Sequence, residues 1–301
     1  MLESINKKWS EVFVANNSTF EYKFIGKNKD IPIIIARDIL KYPDKVREFV
    51  SNGYWWINEK SEDFARPGKS FMFGDGNENL CMDPIMHYVQ ILFGVTKVNV
   101  AGLTSNCNNG NMDVVNPHSI YPHVDNIIDG LPSEFDSNES ETLEGRRNLI
   151  EDIQLDPIVA FNINITDSDK VNTGFWSFDN KKSLLEFTHN DYINQLVYDE
   201  ELYQKGVSEN MSKWSLIDDC DHYKLNDIVN LEYNSLILYP SHYFHNLYLK
   251  PEWFTDSDRI TVTGFFEIDP EDMSFKSEEF DRVYNLWESF GLNKICNLRQ
   301  L

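Results

Sequence analysis

Several stretches of the chain alternate apolar and polar residues with the two-residue period of an extended strand. Between Asp156 and Thr166, Val159, Phe161, Ile163 and Ile165 make one face and Ile158, Ala160, Asn162 and Asn164 the other. An apolar face backed by small and polar groups suits a strand that lines a polar cavity. Arg259 to Ile268 behaves in the same way, with Arg259, Thr261 and Thr263 on one face and Ile260, Val262 and Gly264 on the other. Shorter apolar or β-branched runs predict further strands at Ile31–Ala36, Val98–Leu103, Asn172–Phe178 and Ser235–Tyr239.

Helical signals flank these strands. Tyr42 to Val50 has Pro43 in its first turn and Asn52-Gly53 just past its end. Asp83 to Leu92 opens with Asp83 as a cap and Pro84 behind it. Lys181 to Glu209 reads as largely helical, and Ser277 to Leu292 places Phe280, Val283, Tyr284 and Trp287 at helical spacing. The Asn-rich stretch Ser105–Asn116 reads as a loop, and the charged stretch 129–152 as an insertion. Short strands with polar insertions, bracketed by helices, predict an α+β, mainly β protein built on an antiparallel barrel or jelly roll.

Composition narrows the function classes. The 301 residues hold 27 basic and 49 acidic side chains, a net charge of −22, so neither nucleic acid nor an anionic membrane surface is an expected partner. The acidity suits a cationic substrate, although most of these carboxylates are accounted for by ordinary surface solvation. Nothing in the pattern sets an oligomeric state. Residues 1–10 lack a leader's apolar core, and there is no run of about 18 apolar residues, so the expectation is a cytoplasmic protein. Cys81, Cys107, Cys220 and Cys296 match no zinc or redox spacing and are read as reduced thiols.

The chemistry centres on His123-Val124-Asp125. Residues i and i+2 of an extended segment point the same way, so both side chains can reach one ion. A distant histidine would complete two His and one carboxylate on a single face of a metal, the ligand set of non-haem Fe(II) oxygenases, although zinc accepts similar ligands. His242 and His245, in Ser241-His-Tyr-Phe-His-Asn246, both qualify, and His118 is a further rival. Arg259 follows His245 by 14 residues; its guanidinium suits a carboxylate bound in bidentate fashion, or a plain ion pair with Asp256 or Asp258.

Together, His123-Val-Asp125, the strand Val159–Thr166, the turn Asn172-Thr-Gly-Phe-Trp176, the segment Asn234–His245 and Arg259-Ile-Thr261 resemble the Fe(II)/2-oxoglutarate-dependent dioxygenase superfamily. The lead-in Ala36–Arg47 and Arg66-Pro-Gly68 resembles its prolyl-hydroxylase-like branch. The resemblance implies a single oxygenase domain over 1–301. It would comprise an α/β lead-in (1–96), a double-stranded β-helix or cupin-like jelly roll (97–268) and a C-terminal helix (269–301), with lid insertions near 129–152 and 181–230. It implies His123, Asp125 and His245 as catalytic iron ligands. Arg259, helped by Thr261, would bind the distal carboxylate of 2-oxoglutarate. The cofactors implied are Fe(II), 2-oxoglutarate and O2, and the activity a hydroxylase acting on a small molecule, amino acid or peptide. A carboxylate at Asp125 speaks against the halogenating variant of the family. Tyr121, Asn162, Asn164, Trp176 and Arg66 are candidate substrate contacts, with core packing the competing reading for the aromatics. The alternatives are a cupin-like metal-binding protein without oxygenase activity and a zinc hydrolase using the same ligands.

Overall fold

The computed structural model describes residues 8–52, 56–57, 69–72, 82, 84–86, 89, 98–108, 121–124, 128–129, 154–155, 158–183, 186–187, 191, 194–195, 197–199, 201–202 and 215–268. Arg66, His118, Asp125, the body of the 129–152 insertion and the expected helix Ser277–Leu292 lie outside these residues.

The strands are β1 (Thr19–Ile25), β2 (Ile31–Arg37), β3 (Trp56–Ile57), β4 (Lys69–Met72), β5 (Val98–Asn108), β6 (Ile128–Asp129), β7 (Gln154–Leu155), β8 (Ile158–Asn164), β9 (Asn172–Phe178), β10 (Tyr223–Asn230), β11 (Ser235–Pro240), β12 (His245–Leu247) and β13 (Arg259–Ile268). A large sheet runs β1-β2-β11-β8-β13-β5-β4-β3, a small sheet runs β10-β9-β12, and β6 pairs with β7. Every ladder is antiparallel. An isolated bridge from His123 to His245 adds one more extended segment beside β12. Leaving aside the β6–β7 pair, the chain from β5 onward visits the large sheet, the His123 segment beside the small sheet, β8 in the large, β9 and β10 in the small, β11 in the large, β12 in the small and β13 in the large.

Period-two alternation decides which side chains go to which layer. On β8, β11 and β13, Val159, Phe161, Ile163, Leu236, Leu238, Ile260 and Val262 pack on Trp9, Phe13, Val46 and Val50 of the helical layer. The other face of the large sheet meets the small sheet, where Ile33 and Ile35 of β2 with Ala160, Ile237 and Tyr239 pack against Phe175, Val171 and Val229. β2 and β11 are buried on both faces, which is why they read as apolar runs rather than as alternating strands. Each fully buried Val, Leu, Ile or Phe contributes roughly 1.5–3 kcal/mol.

The helix α1 (Pro43–Ser51) starts and stops where its Pro43 and Asn52 signals place it, and turns Val46 and Val50 inward. Asn234, at φ 59°, closes the turn before β11; its side-chain amide exchanges hydrogen bonds with the backbone N–H and C=O of Leu40 (3.0 and 2.9 Å).

Two sequence expectations change. Ser105–Asn108 is not loop but the end of β5, paired with the start of β13 (Arg259↔Asn108, Ile260↔Cys107). Asn108 meets Arg259 on the inner face while Cys107 packs into the helical-side core, so the polar residues of the stretch hide the signature of a strand. The insertion placed at 181–230 stops short of residue 223, because Tyr223–Asn230 is a strand paired with β9. Among the described residues no helix is long and apolar enough to cross a membrane.

Candidate metal and anion site

His123 and His245 exchange both backbone hydrogen bonds, His123 N–H to His245 O and His245 N–H to His123 O, each 2.9 Å. In such a pair the two side chains leave the ladder on the same face. The imidazole centroids lie 4.7 Å apart at 52°. The Nδ1 of His245 reaches the carbonyl of Tyr243 at 2.9 Å, and the Nδ1 of His123 that of Tyr121 at 3.2 Å. A carbonyl only accepts, so each Nδ1 is the donor, the ring orientation that presents Nε2 to a metal. His245 also pairs across the ladder with Phe175, whose ring meets Tyr239 edge-on at 5.3 Å. Tyr239 in turn lies 4.8 Å from the His245 ring. The histidine pair therefore opens toward the space between the sheets.

His242 occupies a different place. It lies in the turn before Tyr243, its ring 4.8 Å from the Tyr243 ring, and is buried with no hydrogen-bond partner for Nε2 among the described residues. Burial pushes its pKa down to about 3, so it is neutral. It is His245 that the backbone sets opposite His123. Among the described residues no three His, Cys, Asp or Glu side chains gather for a metal, and the expected third ligand, Asp125, lies outside them.

Across the interior, Arg259 is fully buried at the start of β13. Its Nη1 donates to Asn108 Oδ1 at 2.7 Å and to Thr261 Oγ1 at 3.4 Å. Its Nε and Nη2 have no partner among the described residues. These two nitrogens form one edge of the planar guanidinium, the edge that grips a carboxylate with two parallel bonds. Neither Asp256 nor Asp258 forms an ion pair with it among the described residues, so the plain-salt-bridge reading has no support. Burial without a carboxylate lowers its pKa to about 10. The start of the strand is pinned by Thr166, whose hydroxyl accepts from Ile260 N–H at 2.6 Å and donates to Ile260 O at 2.9 Å.

Register places the other candidates. Thr261 pairs with Asn164, and Asn164 with Ser235; Thr263 pairs with Asn162, and Asn162 with Ile237. These rows lie on the inner face of the large sheet, the face that carries Tyr239 and the edge-on contact to His245. Asn162 is buried, and its Oδ1 has no partner among the described residues. Asn164 uses its amide structurally: Nδ2 donates to Leu231 O at 2.8 Å, and Oδ1 accepts from Thr166 N–H at 2.7 Å.

The two aromatic candidates pack elsewhere. Trp176 and Tyr121 sit in a third cluster on the outer face of the small sheet, with Phe178, Tyr198, Tyr223 and Phe244. The indole N–H of Trp176 donates to Asn246 Oδ1 at 2.8 Å. Trp176 follows Phe175, and adjacent strand residues face opposite ways, so a Phe175 turned inward sends Trp176 out. Two residues that the sequence reading passed over matter more: Asn108, which anchors Arg259, and Tyr239, beside His245. Tyr239 had a signal, since it shares the inner-face parity of Ser235 and Ile237. Asn108 sat in a stretch too polar to be read as strand.

No protein-family model matches this chain, and no curated protein matches it. Among solved structures it is similar to HygX from Streptomyces hygroscopicus. Against HygX with nickel and 2-oxoglutarate bound the identity is 9% and the TM-score 0.43, covering 79% of this chain and 83% of that one. Against HygX with nickel, 2-oxoglutarate and hygromycin B bound the identity is 10% and the TM-score 0.41, covering 84% and 83%. Against HygX with iron bound the values are 12% and 0.39, covering 84% and 82%. Likenesses at these scores assign neither family nor activity to this chain.

Proposed function

We propose that the protein is a non-haem Fe(II)/2-oxoglutarate-dependent oxygenase that hydroxylates a small molecule, amino acid or peptide side chain. The observation that carries the reading is the buried guanidinium of Arg259, whose carboxylate-gripping edge has no partner among the described residues, on the inner face that also meets His245. A cation buried without a counter-charge is costly, and a bound dicarboxylate offsets that cost.

In this reading His123, Asp125 and His245 hold the metal, and Arg259 with Thr261 holds the far carboxylate of 2-oxoglutarate. The alternation of consecutive strands between the two sheets supports a double-stranded β-helix core. The two backbone-anchored imidazoles fit a borderline metal such as Fe(II). Iron and its co-substrate would supply oxygen activation, with 2-oxoglutarate decarboxylated to succinate. The chain's own residues orient the ligands, neutralise the distal carboxylate and keep water from the interior through the apolar packing around Tyr239 and Phe175. Asn162 Oδ1 faces the same interior and suits a hydrogen-bond donor on the substrate.

Anaerobic calorimetric titration with Fe(II) and then 2-oxoglutarate tests the reading, followed by a succinate assay in air. Tight 2-oxoglutarate binding that depends on both metal and Arg259 is expected. Zinc-dependent hydrolysis indifferent to Arg259 and to oxygen, or metal binding without any 2-oxoglutarate binding, would replace it with one of the two alternatives.

A further inference from the structure

A second buried polar cluster lies behind His123, on the outer face of the small sheet. Helical residues between 191 and 202 bring Gln195, Tyr198, Asp199 and Leu202, at positions i, i+3, i+4 and i+7, to one side. Leu202 and Tyr198 pack into the aromatic cluster with Tyr223 and Tyr121. Asp199 and Gln195 meet the hydroxyl of Tyr223, which is fully buried at the start of β10. That hydroxyl lies 2.9 Å from Asp199 Oδ1 and 3.4 Å from the carbonyl oxygen of Pro122. Gln195 Nε2 donates to the Tyr223 oxygen at 3.1 Å and to Asp199 Oδ2 at 3.4 Å.

The proton count makes this arrangement two-state. Tyr223 has one hydroxyl hydrogen and, among the described residues, two acceptors within reach. When Asp199 is ionised, its carboxylate takes that hydrogen, being the stronger acceptor. When Asp199 is neutral, its own O–H donates to the Tyr223 oxygen, and the Tyr223 hydrogen turns to Pro122. The Pro122 carbonyl belongs to the peptide whose N–H is that of His123, bonded to His245 O at 2.9 Å. That peptide is then held from both sides.

We propose that Asp199 and Tyr223 are positioning residues for His123: a proton on Asp199 turns the Tyr223 hydroxyl onto the Pro122 carbonyl and fixes the peptide that carries His123. Its functional consequence rests on His123 being a metal ligand; the switch itself does not.

Burial raises the Asp199 carboxyl to about 7, against the lowering effect of the Tyr223 and Gln195 hydrogen bonds, so both forms are populated near neutrality. Burial holds Tyr223 well above its ordinary value, so it keeps its proton throughout. Among the described residues, the other titratable groups against the cluster are Tyr198, raised by burial and by a hydrogen bond with Cys220, then Cys220 itself, which acts on both tyrosines, and Asp221. His222 lies edge-on to Tyr198 and pairs with Asp179 at 2.8 Å.

The test is carbonyl 13C NMR of Pro122 and carboxyl 13C NMR of Asp199 in the metal-free full chain across neutral pH. In the wild type both signals should share one midpoint, at about 7. Asp199→Asn, whose amide donates to Tyr223 permanently, should hold Pro122 at its low-pH shift. Tyr223→Phe should leave Asp199 titrating while Pro122 no longer follows, and His222→Asn should change neither. A Pro122 signal that ignores the Asp199 titration, or that still follows it in Tyr223→Phe, overturns the switch. Should Tyr223→Phe fail to fold, the wild type and Asp199→Asn still decide it. Nickel affinity gives the functional arm: above the transition the wild type should bind roughly two- to tenfold more weakly than Asp199→Asn, the worth of one hydrogen bond, and equally below it. If the carbonyl switches and nickel affinity does not follow, positioning of the metal site is refuted and the switch stands. If no nickel binds at any pH, the reading of His123 as a ligand fails instead.

Discussion

Replacing Arg259 by methionine should move stability and ligand binding in different directions. Arg259 is fully buried, and its pKa falls from 12.5 to about 10, so its charged form is disfavoured by about 3 kcal/mol. Methionine removes that penalty and fills much of the same volume. It also removes the 2.7 Å bond to Asn108, a loss of about 1.5–3 kcal/mol for a bond to a charged group, and the 3.4 Å contact with Thr261, which is too long to add much. The two terms nearly cancel, so ligand-free Arg259→Met should unfold within about 1 kcal/mol of the wild type in urea. Binding has no such compensation. The Nε and Nη2 donors would make two charge-assisted bonds to the co-substrate, together about 3–6 kcal/mol, so the variant should bind 2-oxoglutarate about 10²- to 10⁴-fold more weakly. Calorimetry reads that change directly. Thermal unfolding with nickel and excess 2-oxoglutarate reads it again, because ligand at a hundred times Kd stabilises the wild type by about 2.7 kcal/mol and should stabilise the variant by no more than about 0.4 kcal/mol. A variant that loses several kcal/mol of stability and still binds 2-oxoglutarate like the wild type would refute the reasoning, because Arg259 would then be a structural cation.

Three further outcomes follow from local geometry. A Cβ on Gly174 would lie 2.8 Å from both Asn246 Oδ1 and Trp176 Nε1, so Gly174→Ala should break their hydrogen bond and cost about 1–3 kcal/mol in urea unfolding; an unchanged midpoint would show that the small sheet relaxes freely. Thr166→Val leaves Ile260 N–H without its 2.6 Å acceptor at the start of β13, and should cost about 1–3 kcal/mol and weaken 2-oxoglutarate binding with it, as calorimetry would report. His242 has a folded pKa of about 3, below the ordinary 6.5, so its contribution is complete above pH 6.5 and is lost as pH falls toward 3. Between these limits the unfolding free energy of His242→Phe, from urea titrations, should fall less steeply with falling pH than the wild type's, by up to about 1.4 kcal/mol per pH unit; parallel curves would show that His242 is not buried neutral.

Much of the layer structure was legible because it is written locally. The alternation in Val159–Thr166 and Arg259–Ile268 set two faces for β8 and β13, and those faces divide between the helical layer and the interior. Pro43 and Asn52 bounded α1 because a missing N–H and a helix-ending turn act within a few residues. The order of His123, His245 and Arg259 along the chain offered a candidate site, with residue types but no partners.

What the sequence could not carry was the register between distant strands. Asn108 and Arg259 are 151 positions apart, and only their ladder makes the Asn108 amide the anchor of the guanidinium and leaves its other edge without a partner among the described residues. The same holds for the two histidines: the backbone bonds to His123 set His245, not His242, opposite it, and no local property of either ring does so. Trp176 read as a candidate pocket residue because alternation says that it faces away from Phe175, not which of the two faces is the interior. Pairing of His245 with Phe175 and contact with Tyr239 decided that, sending Trp176 outward to Asn246. Residue type and period act over a few bonds and set what each segment can present. Which presented faces meet depends on long-range pairing, and the candidate site lies where they do.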